Sequence, residues 1–123
     1  MPRIADIDHV QVAIPPGADD TARAFYGGVL GLAEVPKPAP LNASGGVWFQ
    51  LGTTQLHIGA EQGFAPNKKA HPAFVVEDFE DYCALLRERG VAVREEAQVA
   101  GRQRAGIEDP FGNRVELIAA SAV

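Results

Sequence analysis

The sequence predicts an α+β domain built from two similar modules, each with the order strand, helix and three strands. Segments in which apolar and polar residues alternate are interrupted twice by segments with apolar residues at helical spacing. The stretch Ala70–Val76 also resembles the first predicted strand, Ile7–Ile14, position by position. Since half a chain of this length cannot bury its own sheet face, we expect both modules to contribute to one core.

Length and composition predict a single globular domain over residues 1–123. Hydrophobic residues make up 46% of the chain and charged residues 22%, values that are ordinary for a soluble protein. The net charge of −5 argues against a general nucleic-acid or membrane-surface binder. No apolar run reaches signal-peptide or membrane-spanning length, which predicts a cytoplasmic location. Cys83 is the only cysteine, so it forms neither an intramolecular disulfide nor a thiolate metal cage.

The first module, about residues 5–60, begins with a strand whose two faces differ. Its apolar face carries Val10, Val12 and Ile14, and its polar face carries His9, Gln11 and Ala13. Apolar residues at i, i+3, i+4, i+7 and i+8 from Ala22 predict an amphipathic helix that ends at Gly31. A short strand over Leu32–Val35 and an irregular loop over 36–46 should follow.

Two more strands complete the first module. Val47–Leu51 places Trp48 and Gln50 on one face of its strand. Gln55–Gly59 places Gln55 and His57 opposite an apolar face. A histidine therefore lies on the polar face of a strand for the second time.

The second module, about residues 68–120, repeats this order. We predict a strand over Ala70–Val76, a helix from Phe79 to Leu86 closed by Gly90, strands over Val91–Arg94 and Arg102–Ile107, a turn over Asp109–Asn113 and a last strand over Arg114–Ile118. The first of these strands carries His71 and the last carries Glu116.

Aligning the modules pairs His9 with His71 and His57 with Glu116. A single strand histidine is more often a half-exposed polar residue than a ligand, and the spacing matches no local zinc motif. Here, however, all three histidines of the chain lie on polar faces and the repeat places a carboxylate in the fourth position. Four such groups converging from four strands would hold one divalent ion, Zn, Ni, Co, Mn or Fe(II), with positions left for substrate or water.

Four stretches resemble the vicinal oxygen chelate superfamily, the group of glyoxalase I, bleomycin-resistance proteins and ring-cleaving dioxygenases. They are Asp8-His9-Val10, the helix with Ala24-Phe25-Tyr26 and Val29-Leu30-Gly31-Leu32, Ala70–Phe74, and Asp109–Leu117 with its Asp-Pro-Phe-Gly-Asn turn. The resemblance spans nearly the whole chain.

The resemblance implies two βαβββ modules that form a half-open, cup-shaped barrel. It also implies a divalent metal on the barrel floor, held by His9, His57, His71 and Glu116, a small-molecule substrate that chelates the metal through adjacent oxygens, and a homodimer. In the isomerases and epimerases of this group, the metal acidifies the C–H bond beside the chelating oxygens.

The chain departs from the family pattern at three positions. Bacterial-type glyoxalase I usually has glutamate where His57 stands. Gln50 stands where related epimerases carry a glutamate base, and an amide cannot take a proton. Gln11 stands where fosfomycin-modifying transferases place threonine. These departures disfavour epimerase and fosfomycin chemistry and leave Glu116 as the predicted catalytic base.

Two groups of polar residues are predicted to contact substrate. Gln11, Trp48, Gln50 and Gln55 share faces with the expected ligands or lie near them. Arg104 and Arg114, together with Lys68, Lys69 and Arg102, flank the strands of His71 and Glu116 and would hold a carboxylate or phosphate. Ordinary solvated surface residues are the alternative for both groups.

Three functions agree with these features. The first is a glyoxalase I-like metal-dependent isomerase or lyase acting on a small metabolite, which the basic residues would bind if it is anionic. The second is a metal-free small-molecule-binding or antibiotic-sequestering resistance protein. The third is an Fe(II) ring-cleaving dioxygenase, which would use His9, His71 and Glu116 and leave His57 free.

Overall fold

The computed structural model describes residues 1–123 apart from the side chains of residues 42 and 43. The chain divides into two compact units, Met1–Phe64 and Ala65–Val123. In each unit a strand and a helical segment precede three further strands, which confirms the predicted α+β class and the repeated βαβββ order. No helix among the described residues is long and apolar enough to cross a membrane.

The first unit contains one four-stranded sheet. Its elements are β1 (His9–Ile14), α1 (Asp19–Ala22), a π-helical segment (Arg23–Val29), β2 (Ala33–Val35), a 3-10 segment (Ala39–Ser44), β3 (Val47–Leu51) and β4 (Thr54–Ala60). The strand order is β1-β4-β3-β2, in which β1 runs parallel to β4 and the other neighbours are antiparallel. The 3-10 segment lies within the region predicted to be an irregular loop.

The predicted first helix has the expected buried face but a different backbone. Its hydrogen bonding changes from α to π at Arg23, and the Leu30 N–H donates to the Phe25 carbonyl at 2.8 Å. Phe25 and Tyr26 are buried as the spacing predicted, and the Tyr26 ring lies 6.2 Å from that of Phe49. The helical periodicity therefore identified the core contacts but not the wider turn.

The second unit contains a sheet of the same connectivity. Its elements are β5 (Ala73–Val76), α2 (Phe79–Glu88), β6 (Arg94–Val99), β7 (Arg102–Glu108) and β8 (Arg114–Ala119). The strand order is β5-β8-β7-β6, with β5 parallel to β8 and the other neighbours antiparallel.

Two strand predictions in the second unit were wrong at their boundaries. His71 lies before β5 rather than within it, because Pro72 has no N–H to donate to a ladder. The residues from Val91 to Val93 are not a strand. The Val91 N–H donates to the Leu86 carbonyl and thereby closes the end of α2 beyond Gly90, so the strand begins only at Arg94.

The sheet registers place the repeat-equivalent residues in matching positions. In the first unit, Gln11 lies opposite His57 on the neighbouring parallel strand. In the second unit, Ala73 lies opposite Glu116. Gln11 follows His9 by two residues, and Ala73 follows His71 by two. Each unit thus sets a histidine diagonally across from a residue of its fourth strand, with His9 at the start of β1 and His71 two residues before β5.

The predicted turn over Asp109–Asn113 ties together the segments that lead to His71 and Glu116. Asp109 Oδ1 accepts hydrogen bonds from the backbone N–H groups of Phe111 and Asn113, each at 2.9 Å. Asn113 Nδ2 donates to Asp109 Oδ2 at 2.9 Å, and Asn113 Oδ1 accepts the Asn67 N–H at 3.0 Å. The buried Asn113 therefore fixes both the start of β8 and the chain before His71.

Replacing Asn113 by Ala should lower the free energy of unfolding by roughly 2–4 kcal/mol, because it removes the side-chain acceptor of the Asn67 N–H and the side-chain donor to Asp109 Oδ2. Chemical denaturation would measure the loss. Asn67→Ala is the matched control and should stay close to the wild type, since Asn67 takes part through its backbone, with its N–H bound by Asn113 and its carbonyl by the Arg114 N–H. Equal stability of Asn113→Ala and the wild type would contradict this role for the turn.

Candidate functional site

His9 is held by the residue that precedes it. Its Nδ1 lies 2.9 Å from Asp8 Oδ2 at the start of β1. Because an ionised carboxylate only accepts, Nδ1 carries the proton, and in the neutral ring the lone pair is on Nε2. A carboxylate behind a histidine is the arrangement that orients imidazole ligands in metal sites.

His57 lies in a stack of three aromatic rings within the first unit. The Trp48 ring is 3.7 Å from the His57 ring at an interplanar angle of 1°, and the His9 ring is 4.2 Å away at 16°. His57 is buried, and this burial, together with the neighbouring His9, lowers the pKa of His57 below its ordinary 6.5. The imidazole of His57 is therefore held in its neutral form.

The orientation of His57 differs from that of His9. Its Nε2 lies 2.9 Å from Gln55 Oε1, and Gln55 in turn donates from Nε2 to Gln50 Oε1 at 3.4 Å. The Gln50 amide also donates to the backbone carbonyls of Gly52 and Thr54. Gln50 and Gln55, predicted to contact substrate, thus form a chain that engages Nε2 of His57.

Gln11 and Trp48 line a cavity of about 250 Å³ in the first unit, together with Lys37 and Gly59. Gly59 is required here, since a Cβ atom at that position would come within 2.4 Å of Gln11 Nε2. Two of the four residues predicted to contact substrate therefore face a space that could hold a small molecule.

His71 is oriented by a backbone carbonyl. Its Nδ1 lies 2.7 Å from the Lys69 carbonyl oxygen, so Nδ1 donates, and its Nε2 lies 3.1 Å from Glu116 Oε1. Since the ionised carboxylate cannot donate, the contact between Nε2 and Oε1 needs a cation between the two atoms, either a proton or a metal ion. His71 and Glu116 thus have the geometry of two groups that share one positive charge.

Arg104 holds both oxygens of Glu116. Arg104 Nε donates to Oε2 at 2.8 Å and Nη2 donates to Oε1 at 3.0 Å. Chiefly through this bond, and also through His71, the pKa of Glu116 falls from 4.5 to about 2, although burial opposes the shift. Glu116 is therefore ionised, as a ligand must be, and a carboxylate with so low a pKa is a weak base.

Three of the basic residues grouped by sequence have partners in the second unit. Arg104 is bound to Glu116, Arg102 Nε donates to the Ala119 carbonyl, and Lys68 Nζ donates to the Gly112 carbonyl. Arg114 differs, because its Nε is buried without a hydrogen-bond partner among the described residues. Arg114 thus differs from Arg104 in its partners, although strand alternation places both on the sheet face that carries Glu116.

Two residues near the candidate ligands were not predicted from the sequence. Asp8 precedes β1, so strand alternation placed it on the face opposite His9 rather than against its ring. Arg94 was predicted to end a strand, but β6 begins at Arg94. Its position on the same sheet face as Glu116 was therefore not predicted. The position of Asp8 directly before His9 in the sequence was the signal that could have indicated this contact.

The donor set suits a divalent metal in part, because Nδ1 of His9 and of His71 is engaged and Glu116 is ionised, whereas His57 is engaged through Nε2. Within neither unit, however, do three or more His, Cys, Asp or Glu side chains of the described residues form a group that could hold an ion. Each unit contributes one pair, His9 with His57 and His71 with Glu116.

Comparison with known proteins identifies a family. Residues 6–117 match the family model described as the Glyoxalase/Bleomycin resistance protein/Dioxygenase superfamily. A search of curated proteins finds no significant match.

Solved structures agree with this match. A glyoxalase family protein from Bacillus anthracis is 43% identical, with 98% of this chain and 99% of that chain covered and a TM-score of 0.94. Lactoylglutathione lyase from Agrobacterium tumefaciens is 22% identical, with 95% of each chain covered and a TM-score of 0.75. TnmS3, an antibiotic binding protein from Streptomyces sp. CB03234, is 22% identical, with 98% and 100% covered and a TM-score of 0.76. The last two comparisons concern the fold alone.

Replacing Glu116 by Gln should destabilise the protein at pH 7 by an amount on the order of 3 kcal/mol, because the ionised form is bound more tightly in the folded state. The folded pKa of about 2 lies below the ordinary 4.5, so this stability is present above pH 4.5 and is lost as the pH falls towards 2. Denaturation curves at several pH values should show the difference between variant and wild type shrinking over that range.

Glu108→Gln, on the exposed end of β7, is the matched control and should differ little from the wild type at any pH. A stability difference for Glu116→Gln that does not change between pH 7 and pH 2 would contradict the ionised Glu116–Arg104 pair.

Proposed function

Because the chain belongs to the Glyoxalase/Bleomycin resistance protein/Dioxygenase superfamily, we propose that it is a divalent-metal-dependent enzyme of the glyoxalase I-like type. In this proposal it is an isomerase or lyase, and its substrate is a small metabolite with adjacent oxygen donors. His9, His57, His71 and Glu116 supply the metal ligands. The homodimer and the cytoplasmic location expected from the sequence stay predictions.

One observation carries the proposal, the matched orientation of two repeat-equivalent histidines. Nδ1 of His9 donates to Asp8, and Nδ1 of His71 donates to the Lys69 carbonyl. Both rings are thereby turned so that Nε2 is the atom offered to a ligand or cation. The two repeat-equivalent histidines therefore present the same ring nitrogen, which supports a shared role.

Metal ions of this class act as Lewis acids towards substrate oxygens when bound. The residues of the chain supply the rest. Arg104 keeps Glu116 ionised and fixed, which suits a ligand. The base role predicted for Glu116 requires it to leave the Arg104 fork, since its pKa of about 2 otherwise makes it a poor proton acceptor. The stacked, neutral His57 is available for coordination only if Gln55 releases it or if Nδ1 is used.

Two alternatives each have a specific observation in their favour. The cavity beside Trp48 and the flat stack of Trp48, His57 and His9 suit a protein that sequesters a planar small molecule without metal. The Gln55 contact of His57 suits an Fe(II) ring-cleaving dioxygenase, which would need only His9, His71 and Glu116.

Protein purified without a histidine tag and freed of metal should bind about one divalent ion per chain in calorimetric titrations with Zn²⁺, Ni²⁺ and Co²⁺. His9→Ala and His71→Ala should abolish tight binding. Asp8→Asn should weaken it by roughly 10–100-fold, because it removes the group that orients His9.

Asp81→Asn, an exposed carboxylate on α2, is the control for the charge change and should bind metal as the wild type does. Absence of tight binding by the wild type after metal addition would refute the enzyme and favour the sequestering protein. Iron-specific activity with oxygen uptake would instead identify the dioxygenase.

A further inference from the structure

The sheet face that carries Glu116 also carries two arginines whose guanidinium groups make no side-chain hydrogen bond to the described residues. Arg94 on β6, Gly106 on β7 and Glu116 on β8 lie in register across three neighbouring strands. Arg114 lies two residues before Glu116 on β8 and therefore points to the same face. The guanidinium groups of Arg94 and Arg114 are thus brought to one surface of the second unit.

Both arginines share one distant counter-ion. Nη2 of Arg94 lies 3.7 Å from Glu96 Oε1, and Nη2 of Arg114 lies 4.0 Å from the same oxygen. Neither distance is that of a hydrogen bond. Within the described part of the chain, Arg114 Nε is also buried without an acceptor, an arrangement that costs free energy until an acceptor is provided.

Gly106 makes room for this arrangement. A Cβ atom at that position would come within 2.5 Å of Arg94 Nη2 and within 2.6 Å of Glu96 Oε1. The Arg94 guanidinium and the Glu96 carboxylate therefore rest on bare backbone in the middle of the sheet. A larger residue would push the Arg94 head group away from the face.

The local charge selects the kind of ligand. Strand alternation and register place four arginines and three carboxylates on this face, Arg94, Arg102, Arg104 and Arg114 with Glu96, Glu108 and Glu116. Before any proton on His71 is counted, the face therefore carries one excess positive charge in a protein of net charge −5. Arg104 is already committed to Glu116 by two hydrogen bonds. A single negative charge completes the balance, whereas a dianion would face Glu96 at close range.

We propose that Arg94 and Arg114 form a subsite for the carboxylate of a small monoanionic ligand. The planar guanidinium fork matches a carboxylate, and the accessible parts of the Arg94 and Arg114 guanidinium groups are the donors that it would contact. The inference rests on the proposed function for the identity of this ligand as the substrate, which would then be a carboxylic acid that also bears adjacent oxygen donors.

Calorimetric titration of the metal-free, full-length protein with pyruvate tests the subsite directly. Saturable binding is expected, and Arg94→Gln and Arg114→Gln should each weaken it about tenfold, as expected for the loss of charge-assisted hydrogen bonds. Arg87→Gln removes the same charge from α2 and should leave the affinity unchanged. Methyl pyruvate, which lacks the charge, should not bind, and inorganic phosphate should bind more weakly than pyruvate.

Arg94 is largely exposed, with 57% of its side chain accessible, so Arg94→Gln should keep the fold even if Arg114→Gln does not. Absence of saturable pyruvate binding, equal affinity in Arg94→Gln and the wild type, or equal binding of the methyl ester would overturn the subsite. Arginine-dependent binding of pyruvate by a protein that takes up no metal would keep the subsite and refute the proposed enzyme. Metal uptake combined with pyruvate binding that does not depend on the arginines would refute the subsite and leave the proposed enzyme standing.

Discussion

In each unit the first and fourth strands pair in parallel, and this pairing fixes which candidate site residues lie opposite one another. It sets Gln11 opposite His57 in one unit and Ala73 opposite Glu116 in the other. Because side chains alternate along a strand, a shift of one residue in either register would move His57 or Glu116 to the apolar face. The repeat therefore determines which chemistry-bearing residues meet, and the flanking residues determine their orientation.

The two units use the same geometry for different contacts. In the first, aromatic rings stack, with His57 held between Trp48 and His9. In the second, charges meet, with Glu116 bound by Arg104 and His71. A carboxylate at this depth would be costly without such partners, so the Arg104 fork offsets the desolvation that burial imposes on Glu116. The same fork explains why Glu116 suits an ionised ligand better than a proton acceptor.

The fold could be predicted from the sequence, and so could the strand face on which most of the candidate site residues lie. Alternation identified the polar faces that carry His9, His57 and Glu116, and the repeat identified their equivalence. The alternation of apolar and polar residues predicted wrong strand boundaries where a backbone N–H was absent or already bonded elsewhere. Pro72 excludes His71 from its strand, and the Val91 N–H caps α2 instead of starting β6. Because β6 was predicted to end at Arg94, the position of Arg94 beside Glu116 was not predicted. Periodicity also does not show that Arg104 binds Glu116 while Arg114 Nε has no partner among the described residues.

Metal binding as proposed requires His9 and His71 to offer Nε2 to a divalent ion while Nδ1 stays bound to Asp8 and to the Lys69 carbonyl. Two-bond ¹H–¹⁵N correlation spectra of the histidine rings, recorded before and after one equivalent of Zn²⁺, test it most directly, since the chain has only three histidines. We expect Nδ1 of His9 and His71 to remain protonated and their Nε2 resonances to move to metal-bound positions. Unchanged Nε2 resonances, or coordination through Nδ1, would contradict this account.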